Sequence, residues 1–304
     1  MMEGWILYKQ KQSEITSDKY EMNRFLEVAQ QREISLKILC PEQFDLLVNR
    51  EDNKSVIVDN HYTKLPQFLL PRQGASTPYF SLAVIRHLER LGVHTFNSSE
   101  SIETVKDKLY TQQILAANNF PVPRTMLARY PLNIQLIEET LGFPIVVKTI
   151  SGSQGSGVFL CETKGHLEDL MQLIDTAKTQ ANFIIQEFIQ NSKGRDLRVF
   201  IVGSRVIACM ERISKDGNFK ANFSRGGKVK SFQVNPEIEW LATESARVLN
   251  LDIAGIDLLF DGENFKVCEA NSSPGFKGIE SCCDVSIPDA VFDFIKIRLG
   301  LHQG

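Results

Sequence analysis

The sequence predicts an α/β protein in which an N-terminal open sheet with helices precedes two smaller α+β lobes. Over residues 5–100, short apolar runs alternate with helical stretches, a pattern typical of a small open sheet. A glycine-rich turn then joins two apolar runs between residues 143 and 163, and two later pairs of apolar runs are each joined by turn residues. The chain has 304 residues, which is enough for two or three subdomains, each with its own core.

The first unit is predicted to span residues 1–104. Its apolar runs are "WILY", "LKILC", "SVIVD" and "FLLPR", and helical periodicity appears near residues 18–32 and 78–92. No motif with a known chemistry lies in this part, so its contribution to function is not visible from its residues alone.

The second unit is predicted to span residues 105–190. Asp107 is a good N-cap for the helix "KLYTQQILAANN", which "FPVP" closes. The strands "FPIVVKTI" and "GVFLCET" flank the glycine-rich turn, and a helix through about residue 178 leads to the strand "FIIQEFI".

The third unit is predicted to span residues 191–304. Gly203-Ser204 is a two-residue hairpin signal between "LRVFIV" and "RVIACMERI", and a helix should follow Asn235-Pro236. A last hairpin covers residues 255–275 with turn residues Asp261-Gly262. The final helix is expected from Pro288 to about Leu299, capped by Ser286 and stopped by Gly300.

Composition narrows the classes of partner. The chain is 43% hydrophobic and 23% charged, with a net charge of −3 and a pI near 6.0, which gives no general attraction to nucleic acid or to an anionic membrane. No signal peptide and no apolar run of membrane-spanning length is apparent. The six cysteines show no spacing typical of a metal site or a disulfide framework: Cys40, Cys161, Cys209, Cys268, Cys282 and Cys283. We therefore expect a reducing, cytoplasmic setting.

The last hairpin carries three oxygen-bearing side chains in its apolar runs. Glu269 and Asn271 share one face of their strand, and a connection with an odd number of loop residues would place Asp257 on that face too. Two carboxylates and an amide oxygen that share a site need a cation or strong donors, and Mg²⁺ prefers such ligands. The alternative is that the acids simply ring a solvent-facing sheet edge.

The glycine-rich turn "SGSQGSG" follows the strand lysine Lys148. It lacks the ending of a P-loop and leads into a strand, so neither the P-loop nor the Rossmann pattern fits. Its backbone N–H groups could fold over phosphates, and the alternative is an ordinary mobile loop. A lysine among the apolar neighbours Ile145, Val146 and Val147 favours the first interpretation, because it needs an anionic partner if it points inward.

Basic residues are concentrated between residues 194 and 230, where nine Lys or Arg accompany three acids. Arg212 stands at a strand end, and "NFSRGG" places Asn222 and Arg225 beside two glycines that let backbone approach a ligand. Guanidinium groups bind phosphate and carboxylate in a bidentate manner. Some of these residues belong to a solvated face, and a nucleic-acid surface is disfavoured because aromatic residues are not interleaved among them.

Together these motifs resemble the ATP-grasp superfamily and, within it, the RimK-like ligases that add glutamate or similar residues to a carboxyl group. The match runs from "KDKLYTQQIL" at residue 106 to "SSPGFKGIE" at residue 280. Between them lie "PIVVKTISGSQGSGV", "IIQEFI", "GRDLRVFIVGSRVIACMER", "NFKANFSRGG", "AGIDLL" and "CEANSSPG" in the family's order. The resemblance implies an ATP-grasp fold, with a pre-ATP-grasp domain followed by two lobes that clasp ATP.

The resemblance also implies a role for particular positions. Nucleotide-binding residues would be Lys108 and Lys148 at the phosphates, Ser153, Gly155, Ser156 and Gly157 in the loop above them, Glu187, Phe188 and Ile189 at the adenine and ribose, Asp196 at the ribose, and Asn222 near the phosphates. Metal ligands would be Asp257, Glu269 and Asn271. Arg212 and Arg225 would stabilise the transferred phosphoryl group.

The activity that follows is ATP-dependent ligation of a carboxylate to an amine through an acyl phosphate, with two Mg²⁺ ions or alternatively Mn²⁺. The added amino acid is expected to be glutamate and the acceptor a peptide, a protein tail or a small carboxylate, in a homo-oligomer with no nucleic-acid or membrane partner. Arg195, Arg198 or Lys228 would bind the second anion, unless these side chains are solvated or paired with acids. A peptide-cyclising ligase and a non-catalytic ATP-binding module are the alternatives. No cysteine needs a catalytic role, and Cys268 is expected on the strand face opposite Glu269.

Overall fold

The computed structural model describes residues 2–49, 55–74, 77–127, 131–150, 157–176, 182–215, 219 and 227–301. In the N-terminal part the strands are β1 (Glu3–Leu7), β2 (Ser35–Leu39), β3 (Phe44–Asp45), β4 (Ser55–Val58), β5 (His61–Lys64), β6 (Phe68–Pro71) and β7 (His94–Thr95). The helices are α1 (Tyr20–Gln31), α2 (Tyr79–Arg90) and α3 (Ser99–Lys106). The two helices predicted near residues 18–32 and 78–92 are thus confirmed as α1 and α2.

The N-terminal open sheet is parallel and has the order β2-β1-β6-β7. The run "SVIVD" was expected in this sheet, but β4 pairs with β3 and β5 in a separate antiparallel sheet. The reason is local: Asp59 and Asn60 both have positive φ, at 49° and 63°, as the tightest hairpin turns require. The turn therefore folds β5 back on β4.

The middle part consists of α4 (Lys108–Ala117), β8 (Thr125–Leu127), α5 (Ile134–Leu141), β9 (Ile145–Thr149), β10 (Val158–Cys161), α6 (Lys164–Thr176) and β11 (Phe183–Glu187). Its strands form an antiparallel sheet in the order β10-β9-β11-β8. The predicted cap is confirmed, because the Asp107 carboxylate accepts a hydrogen bond from the Tyr110 N–H at 2.9 Å. This cap fixes where α4 begins and therefore where Lys108 lies.

The C-terminal part consists of β12 (Arg195–Val202), β13 (Arg205–Ile213), β14 (Lys228–Ser231), α7 (Pro236–Val248), β15 (Ile253–Asp261), β16 (Asn264–Asn271), α8 (Lys277–Cys282) and α9 (Ile287–Arg298). The strands form an antiparallel sheet in the order β14-β13-β12-β15-β16. The Gly203-Ser204 hairpin and the helix after Asn235 are confirmed.

Two details of this part differ from expectation. The turn between β15 and β16 consists of Gly262 and Glu263, one residue later than predicted. Ser286 lies at the N-cap of α9, but its hydroxyl donates to the Asp289 carboxylate and accepts no backbone N–H, because the charged carboxylate is the stronger partner. Gly300 does follow the end of α9 with a φ of +67°.

The first hundred residues pack against the C-terminal sheet through a shared hydrophobic core. Phe25 and Phe292 meet Phe276 and Phe68 edge to face, with centroid distances of 5.5 to 6.4 Å. Buried Asn97 adds polar contacts: its amide donates to the carbonyls of Ile253 and Ser272 and its oxygen accepts from two backbone N–H groups. We propose domain boundaries near residues 104 and 190, so that each of the three parts keeps its own sheet. Among the described helices, none has the length and apolar character to cross a membrane.

Candidate active site

The register of β15 and β16 brings the three predicted metal ligands together. Asp257 lies opposite Glu269, and Gly255 lies opposite Asn271. The turn has two residues, so the predicted odd-numbered loop is absent. The ladder instead shifts register after Asp257, where Leu258 pairs with Val267 and Cys268 becomes an extra, bulged residue. The bulge does what an odd loop was expected to do.

The same bulge corrects the prediction for Cys268. Its side chain was expected opposite that of Glu269, but both residues line one cavity. The Cys268 thiol lies 3.6 Å from the ammonium group of Lys148. A bulge interrupts the alternation of faces, so two consecutive side chains can point the same way.

The cavity lies between α4, the middle sheet and β16, at the junction of two of the sheets. Its lining residues are Val105, Lys108, Thr111, Gln112, Lys148, Ile184, Gln186, Cys268, Glu269 and Ala270. Three of the predicted site residues, Lys108, Lys148 and Glu269, therefore meet here. The Lys108 ammonium lies 3.6 Å from a Glu269 carboxylate oxygen. We call this set of residues the open pocket.

Lys148 faces the open pocket with two neutral neighbours among the described residues. Its ammonium group donates to the Gln186 amide oxygen at 2.6 Å, and the Gln186 amide donates in turn to Thr125. Sequence reasoning missed Gln186, although a lone amide inside "FIIQEFI" is a signal of its own. It also missed Gln112, whose amide donates to the Cys268 carbonyl while its buried oxygen has no hydrogen-bond partner.

A second cluster of charges lies beside the pocket, and we call it the buried quartet: Asp196, Arg198, Arg212 and Asp257. Arg212 forms a bidentate pair with Asp196 at 2.6 and 2.9 Å and also donates to Asp257 at 2.9 Å. Arg198 binds both oxygens of Asp257. Burial acts to raise the pKa of Asp257, but the charges of Arg198 and Arg212 hold it below its ordinary value.

The structure therefore places Asp196 against Arg212, one strand away from the predicted adenine hinge. The hinge residue Glu187 is also engaged: its carboxylate accepts from Lys266 at 2.8 Å and from the side chain and backbone of Arg124. Burial acts to raise its pKa, but these donors lower the pKa of Glu187 to about 2. Phe188 is half-buried and Ile189 is buried just beyond β11. The nucleotide roles of these residues stay predictions.

The basic stretch does not supply the spare arginines that the sequence suggested. Arg198 belongs to the buried quartet, and Arg195 lies 2.8 Å from the Glu211 carboxylate, although the two groups are not aligned as a hydrogen bond. The Arg195 guanidinium also stacks over the Phe260 ring at 3.7 Å. The expectation that Arg195 and Arg198 bind a second anion is corrected, because each already has an acidic partner.

Several predicted residues lie outside the described ranges: Ser153, Gly155, Ser156, Asn222 and Arg225. Gly157 is described, with a φ of +69°, and its carbonyl accepts from the Thr149 N–H at 2.9 Å. A Cβ at this position would lie 2.6 Å from the Thr149 hydroxyl. Only glycine therefore suits the point where the loop returns to β10.

The donor set fits a divalent cation at the end of β16. Asn271 donates through its amide nitrogen to the Gly255 carbonyl at 3.3 Å, which leaves its oxygen as an acceptor. A carboxylate offers about four acceptor positions. Arginines use three on Asp257, and Glu269 is one-third exposed. Among the described residues no three His, Cys, Asp or Glu side chains form a metal site, since one of the oxygens here is an amide. Hard cations accept such mixed oxygen donors.

Comparison with known proteins agrees with this arrangement. The RimK-like ATP-grasp domain matches residues 105–295, and the RimK PreATP-grasp domain matches residues 13–102. The chain is 36% identical over 280 residues to the probable alpha-L-glutamate ligase 1 of Shewanella denitrificans, covering 91% of this chain and 93% of the relative. It is 39% identical over 236 residues to the probable alpha-L-glutamate ligase of Vibrio parahaemolyticus, covering 77% and 78%.

Solved structures show the same fold at low identity. The ATP-grasp ligase PsnB in complex with a minimal precursor has a TM-score of 0.73 at 18% identity, covering 97% of this chain and 98% of that one. A RimK domain protein ATP-grasp from Sphaerobacter thermophilus has a TM-score of 0.74 at 15% identity, covering 96% and 98%.

The fold and the pocket thus define an ATP-grasp protein. The chain belongs to the RimK-like ATP-grasp family, and it is an ATP-dependent ligase by class.

Proposed function

We propose that this protein joins L-glutamate to a carboxylate acceptor, a peptide, a protein tail or a small molecule, by forming an amide bond at the expense of ATP. The observation that carries the proposal is the bulged register of β15 and β16. It sets Asp257, Glu269 and Asn271 beside the open pocket, where Lys108 and Lys148 supply positive charge. The curated relatives at 36% and 39% identity are named probable alpha-L-glutamate ligases, which supports glutamate as the added amino acid.

The reaction has two balanced steps. A carboxylate oxygen of the acceptor attacks the γ-phosphorus of ATP, the bond to the bridging oxygen breaks, and an acyl phosphate and ADP result. The amine of the second substrate then attacks the acyl carbon, and inorganic phosphate and a proton leave. Phosphoryl transfer depends mainly on positioning and on electrostatic stabilisation, so the chain needs no covalent nucleophile.

The residues of the chain divide this work. Lys108 and Lys148 would neutralise phosphate oxygens, and Arg212 would lie at the phosphoryl group in transfer, held in place by Asp196 and Asp257. Glu269, Asn271 and the remaining acceptor position of Asp257 would hold Mg²⁺. When bound with ATP, Mg²⁺ would neutralise charge on the phosphates, and a structure of PsnB is complexed with Mg and ADP.

The proposal is tested by incubating the purified protein with ATP, Mg²⁺, single amino acids and a panel of carboxylate acceptors. ADP release and product mass are read together, with one acceptor carrying heavy oxygen in its carboxylate. We expect glutamate-dependent product and transfer of one heavy oxygen to inorganic phosphate, the mark of an acyl phosphate.

Other outcomes separate the alternatives. Dehydrated, cyclised peptide without added amino acid would replace the proposal with a peptide-cyclising ligase. Nucleotide binding with no ADP release on any acceptor would point to a non-catalytic module. Glu269→Gln and the exposed Glu263→Gln, both in the same hairpin, serve as the inactive variant and its matched control.

A further inference from the structure

The N-terminal open sheet has a crevice-forming point that the proposed function has not used. The order β2-β1-β6-β7 places β1 and β6 side by side, with Leu7 opposite Pro71 at their carboxyl ends. The chain continues from β1 into α1 and β2 on one side, and from β6 into α2 and β7 on the other. Open α/β sheets bind ligands at such a reversal, outside the carboxyl ends of the strands.

Arg72 is the first residue beyond β6 at this point, and its guanidinium is only partly satisfied. Its Nη2 donates to the Pro274 carbonyl at 2.8 Å, while its buried Nε has no hydrogen-bond partner. The rings of Phe25 and Phe276 lie 5.9 and 5.8 Å away. Among the described residues no carboxylate lies within 4.0 Å of the guanidinium. Glu21, the acid that acts on its charge, lies farther away than that.

Two amides on the adjoining segments share this condition. The buried Nε2 of Gln73 and the buried Oε1 of Gln10, which follows β1, have no partner. Nearly all buried polar atoms in folded proteins are hydrogen-bonded, because an unpaired donor or acceptor costs the free energy of its lost hydration. Such atoms on both sides of one strand reversal point to a ligand, and two of the three are donors. A cation with a free donor calls for an anion, and burial of Arg72, which lowers its pKa, strengthens that demand.

The segment that Arg72 holds leads directly to the proposed reaction centre. Pro274 follows Asn271 by three residues, and it packs beside Gly255 and Arg198, since a Cβ on Gly255 would lie 2.7 Å from Pro274 and 3.0 Å from Arg198. Arg198 belongs to the buried quartet with Asp257. Arg72 is therefore on the side of the molecule where phosphoryl transfer is proposed, two contacts from Asp257.

We infer that Arg72, assisted by Gln73, binds a carboxylate group of one of the two substrates. This inference rests on the proposed function and names a substrate-recognition residue for it, in place of the paired Arg195 and Arg198. The shared chemistry is a carboxylate, and its source is either the free amino acid L-glutamate or the end of the acceptor. Bidentate binding by a guanidinium suits this group better than an ammonium does.

Equilibrium titration calorimetry with the full chain, in ADP and Mg²⁺, tests the inference without turnover. The probes are L-glutamate, L-glutamine, a short peptide with a free C-terminal glutamate, and the same peptide amidated. The proteins are wild type, Arg72→Gln, Arg72→Lys and the exposed Arg90→Gln, which removes the same charge from the same part of the chain. We expect Arg72→Gln to weaken one acidic probe about tenfold to hundredfold and to leave its neutral partner unchanged.

The two probe pairs identify the source. Loss confined to L-glutamate assigns Arg72 to the amino acid, and loss confined to the free-carboxylate peptide assigns it to the acceptor. Arg90→Gln should match wild type. Equal loss for acidic and neutral probes, no loss with either, or no probe binding by wild type would overturn the inference.

Folding and the proposed function are controlled separately. If Arg72→Gln does not fold, Arg72→Lys keeps the charge, and the ratio of kcat/KM for the acidic and the neutral substrate does not depend on the folded fraction. A ratio that falls at least about tenfold supports the inference, and an unchanged ratio refutes it. Ligation by wild type with no effect of Arg72 would refute only the inference. Arg72-dependent binding without any ligation would refute only the proposed function.

Discussion

The buried quartet and the open pocket lie side by side on the same hairpin, yet they handle charge in opposite ways. The quartet pairs two arginines with two aspartates, so its charges are balanced within the protein. The open pocket has two lysines and one partly exposed glutamate, and Lys148 donates to neutral groups. A site that awaits a polyanion must leave positive charge unbalanced, whereas a support for that site must be balanced to remain buried.

This difference separates stability from activity. Breaking the quartet should cost folding free energy, because it strands a charge that has lost its partner. Changing the open pocket should cost mainly catalysis, because its side chains already contact solvent or neutral groups. The following substitutions test that separation.

Asp257→Asn should have the largest effect, a loss of about 3–5 kcal/mol in the free energy of unfolding, since it leaves Arg198 and Arg212 buried with one acid between them. Urea unfolding at neutral pH measures it. Asp261→Asn, at the half-exposed end of the same strand, should change stability by about 0–1 kcal/mol. Equal losses in the two variants would mean that the quartet is not a balanced support.

Glu269→Gln should lower kcat by about a hundredfold to a thousandfold or more, because it keeps the shape of the side chain but removes charge that would hold Mg²⁺. Its free energy of unfolding should change by less than about 1 kcal/mol, as for other exposed pairs. Steady-state rates across a Mg²⁺ series measure the first effect, with Glu263→Gln as control. Normal turnover of Glu269→Gln at low Mg²⁺ would remove the residue from the metal site.

Glu187→Gln should destabilise the protein by about 1–3 kcal/mol at neutral pH, because the folded-state pKa of about 2 lies below the ordinary value of 4.5. A depressed pKa stabilises the fold above 4.5, and this contribution falls as pH drops from 4.5 toward 2. The gap between wild type and variant should therefore narrow in acid, whereas exposed Glu168→Gln should show none. A gap that does not depend on pH would disprove the pairing with Lys266 and Arg124.

Arg195→Gln should have the smallest effect, less than about 1 kcal/mol in stability, because Glu211 keeps Lys230 as a partner at 2.9 Å. The KM for either substrate should stay within about threefold of wild type, since Arg195 is already paired. Arg198→Gln, its neighbour in the quartet, should instead destabilise the fold strongly. A large rise in KM for Arg195→Gln alone would restore it as a substrate-binding residue.

Local patterns were sufficient for much of this protein. The helix that begins at Lys108, the hairpin at Gly203-Ser204 and the strands around the glycine-rich turn follow from caps, turn residues and periodicity, which act within a few residues. The order of motifs also led to the family. The three predicted metal ligands could be grouped from the sequence because they all lie on one hairpin, where strand alternation relates their side chains.

Pairing across the chain could not be foreseen in the same way. The bulge at Cys268, the arginine partners of Asp257 and the unsatisfied guanidinium of Arg72 depend on residues that are far apart in sequence. Periodicity states which face of a strand is buried, but not which charge it meets there. Whether a given arginine is a spare binding group or half of a buried ion pair is decided only by packing, because the cost of burying a charge is set by the partner that folding places beside it.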